Sequence, residues 1–224
     1  MLSQQPIKCA CIAVMFWAAT LTVRPAVAAD LVGEARTPLV SEVRDLKDWR
    51  GLSTDLGVYR PLNSRVVISP NNTGPDERAN LTGIHLAVTA AYLFQEGYFV
   101  IGPRINASGG WIETMSTEFT VRTNALLTFG GEAGIAIWRL YGYAFGVGGA
   151  AWLSAERIGV QRANNVVPVH EFGAGFRYAL SQRAYWKSEF SATILGDQRL
   201  GFDHFEPKPY VSFTAGFGFQ FTSN

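Results

Sequence analysis

The stretch Tyr210-Val211-Ser212-Phe213-Thr214-Ala215-Gly216-Phe217-Gly218-Phe219-Gln220-Phe221 decides how this chain is read. Its alternate positions Val211, Phe213, Ala215, Phe217, Phe219 and Phe221 are apolar. The positions between them, Tyr210, Ser212, Thr214, Gly216, Gly218 and Gln220, are mostly small or polar. Successive side chains of a β-strand point to opposite sides, so the segment has one greasy face and one small or polar face. An aromatic face on a strand of about a dozen residues suits a membrane-spanning β-barrel.

Working back from this strand, similar runs alternate with turns and polar loops. They fall at 50–60, 81–94, 98–106, 119–137, 141–154, 168–180 and 185–195, which with 210–221 makes eight. In 81–94, Ile84, Leu86, Val88, Ala90, Tyr92 and Phe94 share a face. In 119–137 the shared face runs Phe119, Val121, Thr123, Ala125, Leu127, Phe129, Gly131, Ala133, Ile135 and Ile137. In 141–154 it is Tyr141, Tyr143, Phe145, Val147 and Leu153, and in 168–180 it is Phe172, Ala174, Phe176, Tyr178 and Leu180. Connections alternate between short (95–97, 138–140, 181–184) and long (61–79, 107–118, 156–167, 196–208). That alternation marks outer-membrane barrels, with short turns in the periplasm and long loops outside. The expected fold is an all-β, eight-stranded antiparallel transmembrane β-barrel.

The N-terminus reads as a secretory leader at 1–28. Lys8 gives a positive start, Cys9 opens an apolar stretch, and Ala26-Val27-Ala28 is a small-x-small cleavage pattern. Cleavage after Ala28 is favoured, with Ala29 the near alternative. Residues 29–48 read as a charged periplasmic lead-in, and 49–224 as the barrel. Both cysteines, Cys9 and Cys11, lie in the leader, so no disulfide or thiolate site is expected beyond it. Loss of Lys8 and Arg24 with the leader takes the formal charge from +1 to −1. With no basic run or stripe, nucleic acid is not an expected partner.

Two architectural alternatives compete. Residues 140–155 carry no charge until Glu156 and resemble a membrane helix, but Gly142, Gly146, Gly148 and Gly149 penalise helix. Aromatics at i, i+2 and i+4 (Tyr141, Tyr143, Phe145) follow the strand period instead. A soluble barrel with its bulky face inward around a small ligand has the same alternation. Glycines opposite the greasy faces favour the membrane. So do aromatics near strand ends at Tyr59, Tyr92, Phe94, Tyr98, Trp138, Tyr141, Tyr178 and Tyr185, which suit interfacial girdles.

The pair of segments Phe172-Gly173-Ala174-Gly175-Phe176-Arg177-Tyr178-Ala179-Leu180 and Ala184-Tyr185-Trp186-Lys187-Ser188-Glu189-Phe190 resembles the penultimate hairpin of small outer-membrane surface proteins of the OmpA-like and opacity type. Trp49-Arg50-Gly51 and Tyr141-Gly142-Tyr143 through Gly148-Gly149-Ala150 extend the resemblance over most of 49–221. Arg177 stands where that family often has Glu, and Phe221 is followed by Thr222-Ser223-Asn224 rather than closing the chain. The resemblance implies a surface protein of the outer membrane of Gram-negative bacteria that contributes to envelope integrity. It implies lipid and lipopolysaccharide as neighbours, the barrel assembly machinery as inserter, and loops available for adhesion or a host ligand. A narrow-pore channel is the alternative function.

The faces opposite the greasy ones carry Asp55, His85, Arg104, Arg122, Glu132, Glu171, Arg177, Lys187 and Glu189. An eight-stranded barrel is just wide enough inside for side chains. Charges there must pair, because an unpaired buried ion is costly. The expectation is a lumen ion-pair network of Asp55, Arg104, Arg122, Glu132, Glu171, Arg177, Lys187 and Glu189, with Arg177 facing Lys187 and Glu189 across a hairpin. Catalysis is not expected, nor is a metal or a cofactor. Some eight-stranded barrels modify lipid A, and Asp203-His204-Phe205-Glu206 is the nearest thing here to an acid–base cluster. No phosphate loop, metal-ligand spacing or nucleophile elbow accompanies it.

Overall fold

The computed structural model describes residues 47–62, 65–69, 77–115, 119–157, 161–200 and 203–221. The leader and the lead-in up to residue 46 lie outside the described residues, as do 222–224. The elements are β1 (Gly51–Leu62), β2 (Arg65–Ser69), β3 (Glu77–Glu96), β4 (Phe99–Met115), β5 (Phe119–Ile137), β6 (Leu140–Arg157), β7 (Gln161–Ala179), β8 (Ala184–Leu195), β9 (Gln198–Leu200), β10 (Asp203–Pro207) and β11 (Tyr210–Phe221).

Eight of these close a ring. The order is β1-β11-β8-β7-β6-β5-β4-β3, and β1 pairs with β3 to shut it, all antiparallel. Closure leaves no open edge, the condition for placing strands in lipid. β3 to β7 run to 17–20 residues and outreach β1, β8 and β11, which have 12 each. Over these shorter strands the wall is continued by β2, β10 and β9, joined to β3 through Val67↔Arg78 and neighbouring pairs.

The stretches expected as long loops are therefore largely strand. β4 runs through Ser108-Gly109-Gly110, a triplet that reads as a turn. There a β-bulge between Gly109 and Ile112 uses Gly110 at φ 150° to bend the wall. β7 begins at Gln161, not 168, and eight of the thirteen residues 196–208 form β9 and β10. The turns at 97–98 and 138–139 match the expected short connections.

The outer wall is apolar. Leu56, Leu86, Phe129, Phe172, Phe217 and Phe219 all face outward, Phe129 at 65% exposure. At the short-turn end this belt is edged by Tyr98, Trp138 and Tyr178, and toward the other end by Trp111 and Trp152. Leu140 to Trp152 along β6 spans about 30 Å of barrel height, from about 3.4 Å per residue and a tilt of about 40°. That equals the hydrocarbon thickness of a bilayer. Among the described residues no helix is long and apolar enough to cross a membrane.

Two strands present the opposite face from the one expected. On β6, Tyr141, Tyr143, Phe145, Val147 and Leu153 point inward, and Gly142, Ala144 and Gly146 lie outside. On β5 a register shift between Thr123 and Ala125 exchanges the faces, so Phe119, Val121 and Thr123 are buried while Leu127 and Phe129 face out. Tyr59, Tyr141 and Tyr185 are accordingly lumen residues, not members of an interfacial girdle.

Candidate functional site

Each inward face carries the same sequence of layers. Near the short turns lies an apolar cluster of Trp49, Leu93, Val100, Ala136, Tyr141, Tyr143, Phe145, Ala179 and Tyr185 among others. Farther along come the ions: Asp55 on β1, Arg104 on β4, Glu132 on β5, Arg177 on β7, and Lys187 and Glu189 on β8. Beyond them a second apolar cluster includes Tyr59, Leu81, Ile112, Phe119, Leu153, Val169 and Leu195, roofed by Val66 of β2 and Phe205 of β10.

The ionic layer is built from two bidentate pairs and a bridging lysine. Arg104 gives Nη1 to Glu189 Oε1 at 2.7 Å and Nη2 to Oε2 at 3.0 Å. Arg177 gives Nη1 and Nη2 to the Glu132 oxygens at 2.6 and 2.9 Å. Arg104 Nη1 also reaches Glu132 at 3.4 Å, which joins the two pairs. Lys187 contacts Asp55, lies 3.3 Å from Glu189, and donates to Thr89 at 2.9 Å. Tyr143 donates to Glu189 at 2.6 Å and Tyr185 donates to Asp55 at 3.3 Å. Three cations thus meet three carboxylates, all buried. Forked guanidinium–carboxylate pairs of this kind are the strongest charge-assisted hydrogen bonds.

The inward rings of β6 belong to this layer. The Arg177 guanidinium sits 4.8 Å from the Tyr143 ring and 5.5 Å from those of Tyr141 and Tyr185, and Arg104 lies 3.9 Å from the Phe145 ring. Cation–π attraction is strongest where water is excluded. This explains the reversed face of β6: its aromatics shelter two arginines while glycine and alanine meet the outside.

Not every charge expected in the network is there. Arg122 is 42% exposed on its side chain and pairs with Glu113 at 2.8 Å, outside the ionic layer. The register shift on β5 turns it away from the lumen. Glu171 is buried in the lumen, but among the described residues it has no ion pair; it accepts from the hydroxyls of Thr193, at 3.2 Å, and Tyr59. Arg177 and Lys187 are register partners, yet Arg177 reaches the other way, over β6, to Glu132 on β5. His85 contacts the Thr123 carbonyl at 2.8 Å and Ser108 at 3.2 Å in the upper lumen. Among the described residues no three His, Cys, Asp or Glu side chains converge as metal ligands.

The short-turn mouth is strapped by residues 47–50. The Lys47 amide donates to the Trp138 carbonyl at 3.1 Å and its ammonium to the Gln182 carbonyl at 2.5 Å. Trp49 is anchored by Gln95 at 2.6 Å, and its ring packs between Tyr141 and Tyr185 at 5.6 and 5.8 Å. Gln220 donates to the carbonyls of Asp48 and Arg50. One short segment is thereby fastened to all three short turns and to β11. Sequence reasoning missed Trp49 as a plug, and Tyr143, Tyr185 and Thr89 as network members.

No protein-family model matches the chain, and no curated protein sequence matches it. Solved structures do. The outer membrane protein OprG from Pseudomonas aeruginosa aligns at TM-score 0.51 and 12% identity, over 80% of this chain and 100% of that one. This chain has the fold of a small outer-membrane β-barrel. Neisserial surface protein A aligns at TM-score 0.46 and 10% identity, over 76% of this chain and 97% of that one. Ail, the attachment invasion locus protein of Yersinia pestis, aligns at TM-score 0.41 and 14% identity, over 77% and 99%.

Proposed function

We propose that this chain is a closed structural barrel of the outer membrane, contributing to envelope integrity and presenting its longer end outside. The observation that carries the reading is the filling of the lumen. A neutral ionic layer is stacked between two apolar clusters, and a tryptophan strap covers the short-turn mouth. An ion crossing the tube must break both bidentate pairs and pass two dry layers, each step opposed by desolvation. This favours a structural role over a narrow pore.

In the same reading the apolar belt meets lipid and lipopolysaccharide, the barrel assembly machinery inserts the chain, and ligands are met by the outer connections. No catalytic role is assigned. The test is single-channel recording in planar bilayers. The closed reading expects no steps above the bilayer background; reproducible unitary conductance from folded protein refutes it and restores the narrow-pore alternative.

A further inference from the structure

The outer wall carries a notch at the level where the apolar belt ends. On the β5–β6 ladder Thr123 opposes Leu153 and Ala125 opposes Trp152, so Asn124 is the extra residue of a bulge. A bulge re-aims the side chain it carries. The Asn124 amide donates to the Ser154 hydroxyl at 3.2 Å. On the next ladder Trp152 pairs with Val166 and Ser154 with Asn164, and Trp152, Val166 and Asn164 are all exposed. Asn124, Asn164, Asn165, Trp152 and Val166 line a notch of about 710 Å³, within the size range of ligand sites.

The lining selects the guest. Among the described residues no charged side chain borders the notch, so it favours neither an anion nor a cation. Its polar groups are primary amides, each with an oxygen that accepts and an NH2 that donates twice. Neutral groups that both give and accept match hydroxyls. The Trp152 indole adds a flat apolar surface with one N–H at its rim. A pyranose has the complementary build, with hydroxyls around its edge and C–H bonds on its face. Height decides which sugar. Trp152 closes the stretch of β6 that matches the hydrocarbon thickness, and Leu127, Phe129 and Phe172 continue the apolar belt below it. His170, exposed opposite Gly148, stands out within that belt. An ionisable side chain facing hydrocarbon is costly and marks a polar contact. A dissolved sugar does not reach this depth. The sugar headgroup of a membrane lipid does, with its chains along the belt and its polar linkages near His170.

We propose that the notch is a binding site for the sugar headgroup of an outer-leaflet glycolipid, the glucosamine unit of lipopolysaccharide. Trp152 stacks on the sugar ring, and Asn124 and Asn164 exchange hydrogen bonds with its hydroxyls. One lipid is thereby fixed to β5, β6 and β7, in contrast to the loose lipid around the rest of the belt. The inference rests on the proposed orientation, with the longer end outside, and holds whether or not the barrel conducts.

The test is native mass spectrometry of the folded barrel after incubation in detergent with lipid A or with cardiolipin, which also has two phosphates and several chains but no sugar ring. One lipid A is expected to be retained about tenfold more than cardiolipin. Asn164→Ala combined with Trp152→Leu is expected to remove that preference, while Trp111→Leu, in the same belt edge but outside the notch, keeps it. Equal retention of the two lipids, or equal loss in Trp111→Leu, means an unselective aromatic belt and overturns the proposal. So does a dimer formed through the notch in place of lipid binding. Labelling of Asn80→Cys on whole cells by an impermeant thiol reagent separates the two ways of failing. An unlabelled cysteine refutes the orientation and the site with it; a labelled one without a lipid A preference refutes the sugar site alone. If the double variant fails to fold, the two lipids on the parent barrel still decide.

Discussion

Replacing Glu189 by alanine removes the carboxylate on which the ionic layer turns. Its two oxygens take both forks of Arg104 at 2.7 and 3.0 Å, the Tyr143 hydroxyl at 2.6 Å, and Lys187 at 3.3 Å. Afterwards Arg104 keeps the hydrogen bond to Asn106, a 3.4 Å contact with Glu132 and the Phe145 ring, and the Tyr143 hydroxyl loses its acceptor. Removing one partner of a buried pair costs about 3–5 kcal/mol, mostly through the stranded charge. For a chain of this size each kcal/mol moves Tm by roughly 2–4 °C, so the barrel should melt roughly 6–20 °C lower. The assay is loss of the compact, unheated gel band with temperature, checked by circular dichroism in detergent. Glu189→Gln keeps one acceptor and should fall between. Arg104→Met with Glu189→Leu removes both partners of the pair, and should melt above Glu189→Ala alone. If Glu189→Ala melted within about 2 °C of the parent, or raised conductance without loss of stability, the plug account would be wrong.

Other consequences are independent. Trp49→Ala should cost about 3–5 kcal/mol by emptying the site between Tyr141 and Tyr185, read as a lower Tm, while planar bilayers stay silent because the ionic layer remains. A Cβ at Gly134 meets the Gly142 carbonyl oxygen at 2.0 Å, whereas one at Gly142 meets nothing within 4 Å. Gly134→Ala should therefore weaken the β5–β6 pairing and lower Tm, and Gly142→Ala should leave it unchanged or raise it by the gain of about 0.5 kcal/mol in strand propensity. At the mouth, hydrogen bonds from Arg50 hold the Asp48 carboxyl below the ordinary carboxylate range. A depressed folded pKa stabilises above the unfolded value and is lost as pH falls through the folded one, so the strap should loosen only in acid. Carboxyl NMR titration checks this, and Arg50→Ala should move the Asp48 midpoint up.

Much of the fold was legible in the sequence, and the particular strands show why. On β3, β7 and β11, large apolar residues alternate with small or polar ones, so period and polarity agree about which side is out. On β6, aromatics alternate with glycine and alanine, and neither face is polar. Alternation then gives the strand without its direction, and the inward face is set by Arg104 and Arg177 on other strands. The bulge at Thr123–Ala125 leaves no mark in the residue pattern, yet it reverses the first part of β5 and removes Arg122 from the lumen. Six charges of the layer were readable because each sits opposite a greasy face. Their partners were not, since pairing across the tube joins residues such as Arg104 and Glu189 that are far apart in sequence and not on adjacent strands. Trp49 was visible only as an opening motif, because its plugging role depends on Gln95, Tyr141 and Tyr185 meeting it at the mouth.

The central claim is that large side chains such as Phe129, Phe172 and Phe217 meet lipid while charges fill the tube. No cysteine follows Cys11, so single spin labels can be placed at these three positions without removing a native thiol. Power-saturation measurements in bilayers compare collisions with oxygen, which concentrates in lipid, against a water-soluble nickel chelate. The account predicts that all three labels meet oxygen and are hidden from nickel. Ready access of the nickel chelate to labels at Phe129, Phe172 and Phe217 would contradict it.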